Sequence, residues 1–316
     1  LYVYGFRAKG SLLTAVQSGL QAFFGGQAIA LILGAIFPSF KFMENTLPAS
    51  AAITTQDLIG FMIYSILYFP VVYFIKPPVL RLALYPSFVL TMSTFTAMMI
   101  WALVSNGGTG PSTVLAASVQ LTRSQRALRF VQCVSGVSGT WGGAAERFSD
   151  WTRYEKKKYR SVPGLFVLPV VVTLCGTFGV LTTTATANMY GIVQWNPVLL
   201  LEYVQEVSYT PGCRAATFFA GFAIYYCQIF MNLSQNSIPF GMDVSAAFPK
   251  YFNIQRATFA LVIITIIIQP WRFLSQAAIF ITILSAVTSM CCSFSDPPIL
   301  DLEYEKEIPV TDCGIP

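Results

Sequence analysis

Gln228, Asn232, Gln235, Asn236 and Pro239 fall at helical intervals within the 28 residues from Ala215 to Met242, a run without a charged side chain that stops at Asp243. Spacing of three and four puts such residues on one face of a helix. An unpaired amide in hydrocarbon is costly, so that face should turn toward a bundle interior, an aqueous cavity or the path of a solute. Gln17 and Gln21 form a second amide pair one turn apart, followed by Phe23, Phe24, Gly25 and Gly26. The amides share a face, and paired glycines let a neighbouring backbone come close. A carboxamide offers a donor and an acceptor in one group, so this chemistry reads polar edges and neither makes nor breaks bonds. Amides of this kind also serve as glue between helices.

A third segment, SGVSGTWGGAAERFSDWTRY, surrounds Trp141 with Gly136, Gly139, Gly142 and Gly143. Four glycines should weaken or break the helix where the indole is presented, with Trp141 facing a solute. The alternative is close helix packing with Trp141 as an anchor at the membrane interface. Glu146 follows on the same segment, and Asp243 lies seven residues after Asn236. Either acid could gate a pathway or relay a proton, or could simply reach the headgroups or a nearby cation.

These side chains are carried by apolar segments. The 316 residues are 55% hydrophobic and 10% charged, too little polar surface for a soluble chain of this size. Uncharged runs at 10–40, 58–75, 82–104 and 162–201 are each long enough to cross a bilayer as a helix, and none alternates with the period of a barrel strand. Eight spans are expected, near 11–38, 57–75, 83–105, 128–149, 164–186, 215–240, 257–271 and 273–292, the last two joined by a tight hairpin at Pro270. The fold class is an all-α polytopic bundle, with a membrane domain over 1–292 and a polar, acidic tail over 293–316.

Thirteen of the 19 Lys and Arg residues, including the Arg153–Arg160 cluster, then fall on one side, which the positive-inside rule makes cytoplasmic. Lys41, Arg123, Arg126, Arg129, Arg214 and Arg272 fall on the outer side. The net charge of +5 thus reports orientation and implies no nucleic-acid partner. The chain has no histidine, and its seven cysteines include no CxxC pair. That removes histidine-based nucleophile triads and the commonest metal ligand, and no cofactor or metal is implied. The chain opens on Leu1 with no signal peptide and is read as truncated at both ends.

Together the strings QAFFGGQAI from Gln21, NGGTGP from Asn106, GTWGG with FSDWTRY from Gly139, NLSQNSIPFGMD from Asn232 and FPKYFNIQR from Phe248 resemble the nucleobase:cation symporter-1 family. This is the purine-cytosine permease or uracil-allantoin permease family, and the likeness is greatest to its fungal uracil-permease branch. It covers residues from about 17 to about 284.

The resemblance implies two inverted five-helix repeats of the LeuT-like kind, with this chain supplying the third to the tenth helices. A nucleobase-like solute such as uracil or allantoin would be carried by alternating access in the plasma membrane. Gln21 would hydrogen-bond the solute, Trp141 would stack on its ring, and Asn236 would read its amide edge. Two departures stand out. Gln17 occupies a position where the family usually has a second tryptophan, and it would line the pocket instead. Phe230 and Met231 stand where sodium-coupled members carry hydroxyls, which favours a proton as the coupling ion, or a loss of coupling. A thiamine or nucleoside carrier of the same family, or a truncated remnant without transport, are the alternatives.

Overall fold

The computed structural model describes residues 2–75, 77–109, 122–146, 151 and 162–274. Every regular element among them is a helix. In chain order these are α1 (Tyr2–Ile36), α2 (Pro38–Lys41), a 3₁₀ turn (Ala49–Ala51), α3 (Thr55–Phe74), α4 (Pro77–Asn106), α5 (Arg123–Glu146), α6 (Val162–Tyr190), α7 (Pro197–Val207) and α8 (Pro211–Asn232). A π-helical turn (Leu233–Ser237) then leads into α9 (Ile238–Ala247), followed by α10 (Ile254–Ile268) and α11 (Trp271–Leu274). The protein is thus an all-α helical bundle.

Five stretches are long and apolar enough to cross a membrane: Thr14–Ile36, Ala49–Phe74, Val79–Asn106, Val162–Tyr190 and Pro211–Ala247. Each coincides with an expected span. The span expected at 257–271 is apolar but forms a 15-residue helix, α10. It ends at Ile268, where Gln269 takes a left-handed conformation (φ 54°) before Pro270. The span expected at 273–292 falls almost wholly outside the described residues.

Of the two expectations for the helix around Trp141, weakened or broken, a break is not seen: α5 runs as continuous helix from Arg123 to Glu146. Each glycine costs about 1 kcal/mol of helix propensity relative to alanine but keeps its N–H and C=O in the ladder. Weakening is not breaking. The irregularity falls instead in the Asn236 segment, where five residues widen into a π turn between α8 and α9.

Capping accounts for where the helices start. Thr54, Asn196, Thr210 and Asn253 each accept a hydrogen bond from a backbone N–H of the first turn, through side-chain oxygens. Helix α4 ends on Asn106, and Gly107 and Gly108 follow at φ 71° and 127°, where a side chain would be strained. Asn188 Nδ2 donates to Asn106 Oδ1 at 2.7 Å and ties the end of α6 to this turn.

The packed centre is formed by α1, with α3 and α8 laid against it. Phe23, Phe61, Tyr64, Tyr68, Ile229 and Leu233 are buried together there. Glycines set the spacing. A Cβ on Gly26 would stand 2.6 Å from the Phe61 Cα, and one on Gly60 would run into the Gly26 carbonyl. The expected close approach at Gly25 and Gly26 is therefore present, with Gly60 as the unforeseen partner. By contrast, α4 turns Leu82, Tyr85, Phe88, Val89 and Val104 outward, as a lipid-facing helix does.

Candidate functional site

Three helices converge on one group of polar side chains. Asn236, in the π turn, is 3% exposed. Its Nδ2 donates to Gln21 Oε1 of α1 at 2.8 Å and to Asn232 Oδ1 at 3.0 Å. Asn232 Nδ2 in turn donates to the Ser18 carbonyl at 3.1 Å. Two residues 215 apart in sequence, singled out because their amides needed partners, thus meet directly.

These bonds spend both protons of the Asn236 amide nitrogen and the Gln21 oxygen. They do not engage Asn236 Oδ1, an acceptor, or Gln21 Nε2, a donor. Each amide therefore keeps one hydrogen-bonding group outside this pair.

The π turn explains why Asn236 can be placed so. Pro239 has no N–H to give the carbonyl four residues back, and a five-residue repeat accommodates the loss. The wide turn is anchored on both sides. Tyr68 of α3 and Ser237 share a hydrogen bond at 2.6 Å, and Thr258 Oγ1 of α10 donates to the Ser237 carbonyl at 3.2 Å. Tyr64 stacks on Tyr68 with ring centroids 5.6 Å apart and donates its hydroxyl to the Gln228 carbonyl at 3.3 Å.

Neither tyrosine was singled out in the sequence. The signal was there: two phenols one turn apart in an apolar helix must each find an acceptor, just as the amides must. Gln228, expected on the polar face, is held differently, since its Oε1 is buried without a donor among the described residues.

The other expected residues fall as follows. Gln17 is half-buried one turn from Gln21, and its side chain joins none of these bonds. Asp243 is half-buried on α9. The π turn shifts its register relative to Asn236, so a separation of seven residues no longer guarantees a common face. Trp141 and Glu146 belong to α5, and their side chains lie outside the described residues.

Comparison with known proteins points the same way. Residues 9–301 match the family model described as permease for cytosine/purines, uracil, thiamine, allantoin. The transporter aclS of Aspergillus oryzae is 29% identical, over 93% of this chain and 53% of its own length. The thiamine transporter THI72 of Saccharomyces cerevisiae is 30% identical, over 87% and 46%. The uridine permease of the same yeast is 28% identical, over 87% and 43%. The chain therefore spans about half the length of the curated relatives it matches. No solved structure matches. With apolar helices of membrane-crossing length, an amide cluster joining α1 to α8, and a family match over nearly all its residues, the chain is a multi-pass integral membrane protein of the cytosine/purine, uracil, thiamine and allantoin permease family.

Proposed function

We propose that this protein carries a flat, nucleobase-like solute such as uracil or allantoin across the plasma membrane by alternating access, in symport with a proton. The observation that carries the reading is the 2.8 Å bond between Asn236 and Gln21, which joins the two amides at a π turn and leaves the Asn236 Oδ1 acceptor and the Gln21 Nε2 donor outside it. The two residues read the solute's amide edge. Trp141 stacks on the ring, Gln17 lines the same pocket, and Asp243 and Glu146 are the gating or relay acids. Residues 1–292 form the transport domain in an inverted-repeat, LeuT-like arrangement, with 293–316 as a polar tail. The relatives' names support a planar heterocycle as the class of solute.

Uptake of labelled uracil and allantoin by the full-length protein, expressed in cells without their own uptake, tests this. Asn236→Ala should abolish the saturable component. Unchanged uptake in that variant would remove Asn236 from the site.

A second reading, a carrier for a bulkier solute such as thiamine or a nucleoside, is favoured by Gln17. It is smaller and more polar than the tryptophan usual at that position, and relatives include a thiamine transporter and a nicotinamide riboside transporter. A competition series separates the two: thiamine displacing the bound solute where uracil and allantoin fail would establish the second.

A further inference from the structure

At the end of the bundle expected to face outward, a cavity of about 470 Å³ lies between the start of α3, the start of α7 and Trp271. Small-molecule sites have volumes of roughly 300–1,000 Å³. Three aromatic side chains, Phe23, Trp195 and Trp271, line the cavity together with one charged side chain, Asp57. Among the described residues no second charge lines it.

Each wall is fixed by contacts of its own. Trp271 is 8% exposed, spends its indole N–H on the Ala51 carbonyl at 3.1 Å, and packs on Phe23 and Phe61 with ring centroids 6.3 and 5.4 Å away. With that N–H spent, it has only ring surface to offer a guest. Buried Asn196 accepts from the Val198 N–H at 2.9 Å and donates to Gln27 Oε1 at 3.3 Å, which pins the backbone that carries Trp195. Trp195 itself is 63% exposed.

Asp57 stands in the first turn of α3. Its carboxylate accepts from Thr54 Oγ1 at 2.8 Å, its N–H donates to the same hydroxyl at 3.1 Å, and the Gln27 amide faces it. These partners are all neutral. Capping of α3 accounts for the Thr54 contacts, but it does not call for two tryptophans in the cavity that the acid lines.

An acid among indoles selects its guest. Indole faces attract cations through their quadrupole, flat rings stack on them, and a carboxylate with neutral partners gains most from a positive charge. We propose that this cavity is a second binding site, which takes a flat heteroaromatic cation of the pyridinium or thiazolium kind. Asp57 is the counter-ion, and Trp195 and Trp271 are the stacking surfaces. The proposal goes beyond the solute reading above, because none of the residues assigned to that solute lines this cavity.

Equilibrium binding to the purified full-length protein tests it with a matched pair, nicotinamide and its ring-N-methylated pyridinium cation, which differ in little but charge. The cation should bind at least about tenfold more tightly than the neutral ring. Asp57→Asn, which keeps the shape of the side chain, should erase that preference while the neutral ring binds as before. Trp195→Ala should weaken cation binding about threefold, and because that ring is exposed this variant decides if Asp57→Asn does not fold. Asn236→Ala should leave cation binding intact. A cation bound no better than nicotinamide, a preference that survives Asp57→Asn, cation binding untouched by Trp195→Ala, or cation binding lost in Asn236→Ala would each overturn the proposal. Unchanged solute uptake in Asn236→Ala counts against the solute reading alone.

Discussion

Asn236 and Gln21 could be picked out because a carboxamide in an apolar helix has few ways to be satisfied, and their spacing told which faces they occupy. The spacing could not tell that they bond each other at 2.8 Å, since that depends on how α1 and α8 cross. Tyr64 and Tyr68 escaped notice because an aromatic ring in a membrane span reads first as apolar bulk. Their hydroxyls hold the turn that carries Asn236. Tyr68→Phe should therefore lower thermal stability by about 0.5–1.5 kcal/mol, the net value of one buried hydrogen bond. It should also weaken solute binding, because the Ser237 hydroxyl loses its partner. A thermal-shift series alongside solute titration checks both. A variant with wild-type affinity would show that the turn holds without that phenol.

At the scale of elements, helix existence was legible in the long uncharged runs, and five of the expected spans are present as membrane-length stretches. The place of the irregularity was not legible. Glycines drew attention to α5, yet a glycine keeps both backbone groups in the ladder, whereas Pro239 removes one and the chain widens just before it. Pro239→Ala restores the missing N–H, so the π turn should revert toward regular helix and rotate Asn236 off Gln21. The expected outcome is a folded protein whose solute affinity drops at least about tenfold, a loss of about 1.4 kcal/mol. Gly60→Ala acts on packing instead. A methyl there meets the Gly26 carbonyl, so α1 and α3 must separate, at a cost of about 1–3 kcal/mol of stability. Size-exclusion of detergent extracts should show less folded protein, and full recovery of yield would contradict the backbone contact.

For the molecule as a whole, composition placed the chain in a membrane, and the lysine and arginine count gives the orientation expected for its two sides. The contacts of α7 stayed hidden, because the two Glu residues of LLLEYVQEV give no hint that Lys41, more than a hundred residues away, reaches the Glu202 carbonyl and the Glu206 carboxylate. Desolvation of half-buried Glu202, with the Asp57 charge adding to it, penalises the ionised carboxylate and has a thermodynamic consequence. Folding raises the Glu202 value from about 4.5 to about 8, so the folded protein binds the proton more tightly than the unfolded chain. The associated stability is fully present below about 4.5 and is lost as pH rises through about 8. Purified protein should melt at a lower temperature as pH climbs through that window, and Glu202→Gln should remove the slope.

In the proposed mechanism Gln21 and Asn236 act as one unit on the edge of a flat solute. Equilibrium binding of labelled solute to purified full-length protein, measured for the wild type, Gln21→Ala, Asn236→Ala and the double variant, addresses it most directly. Each single change should remove most of the affinity and the second should add little, the non-additivity of a pair that works together. Affinity within about twofold of wild type in either single variant, or losses that simply add, would contradict it.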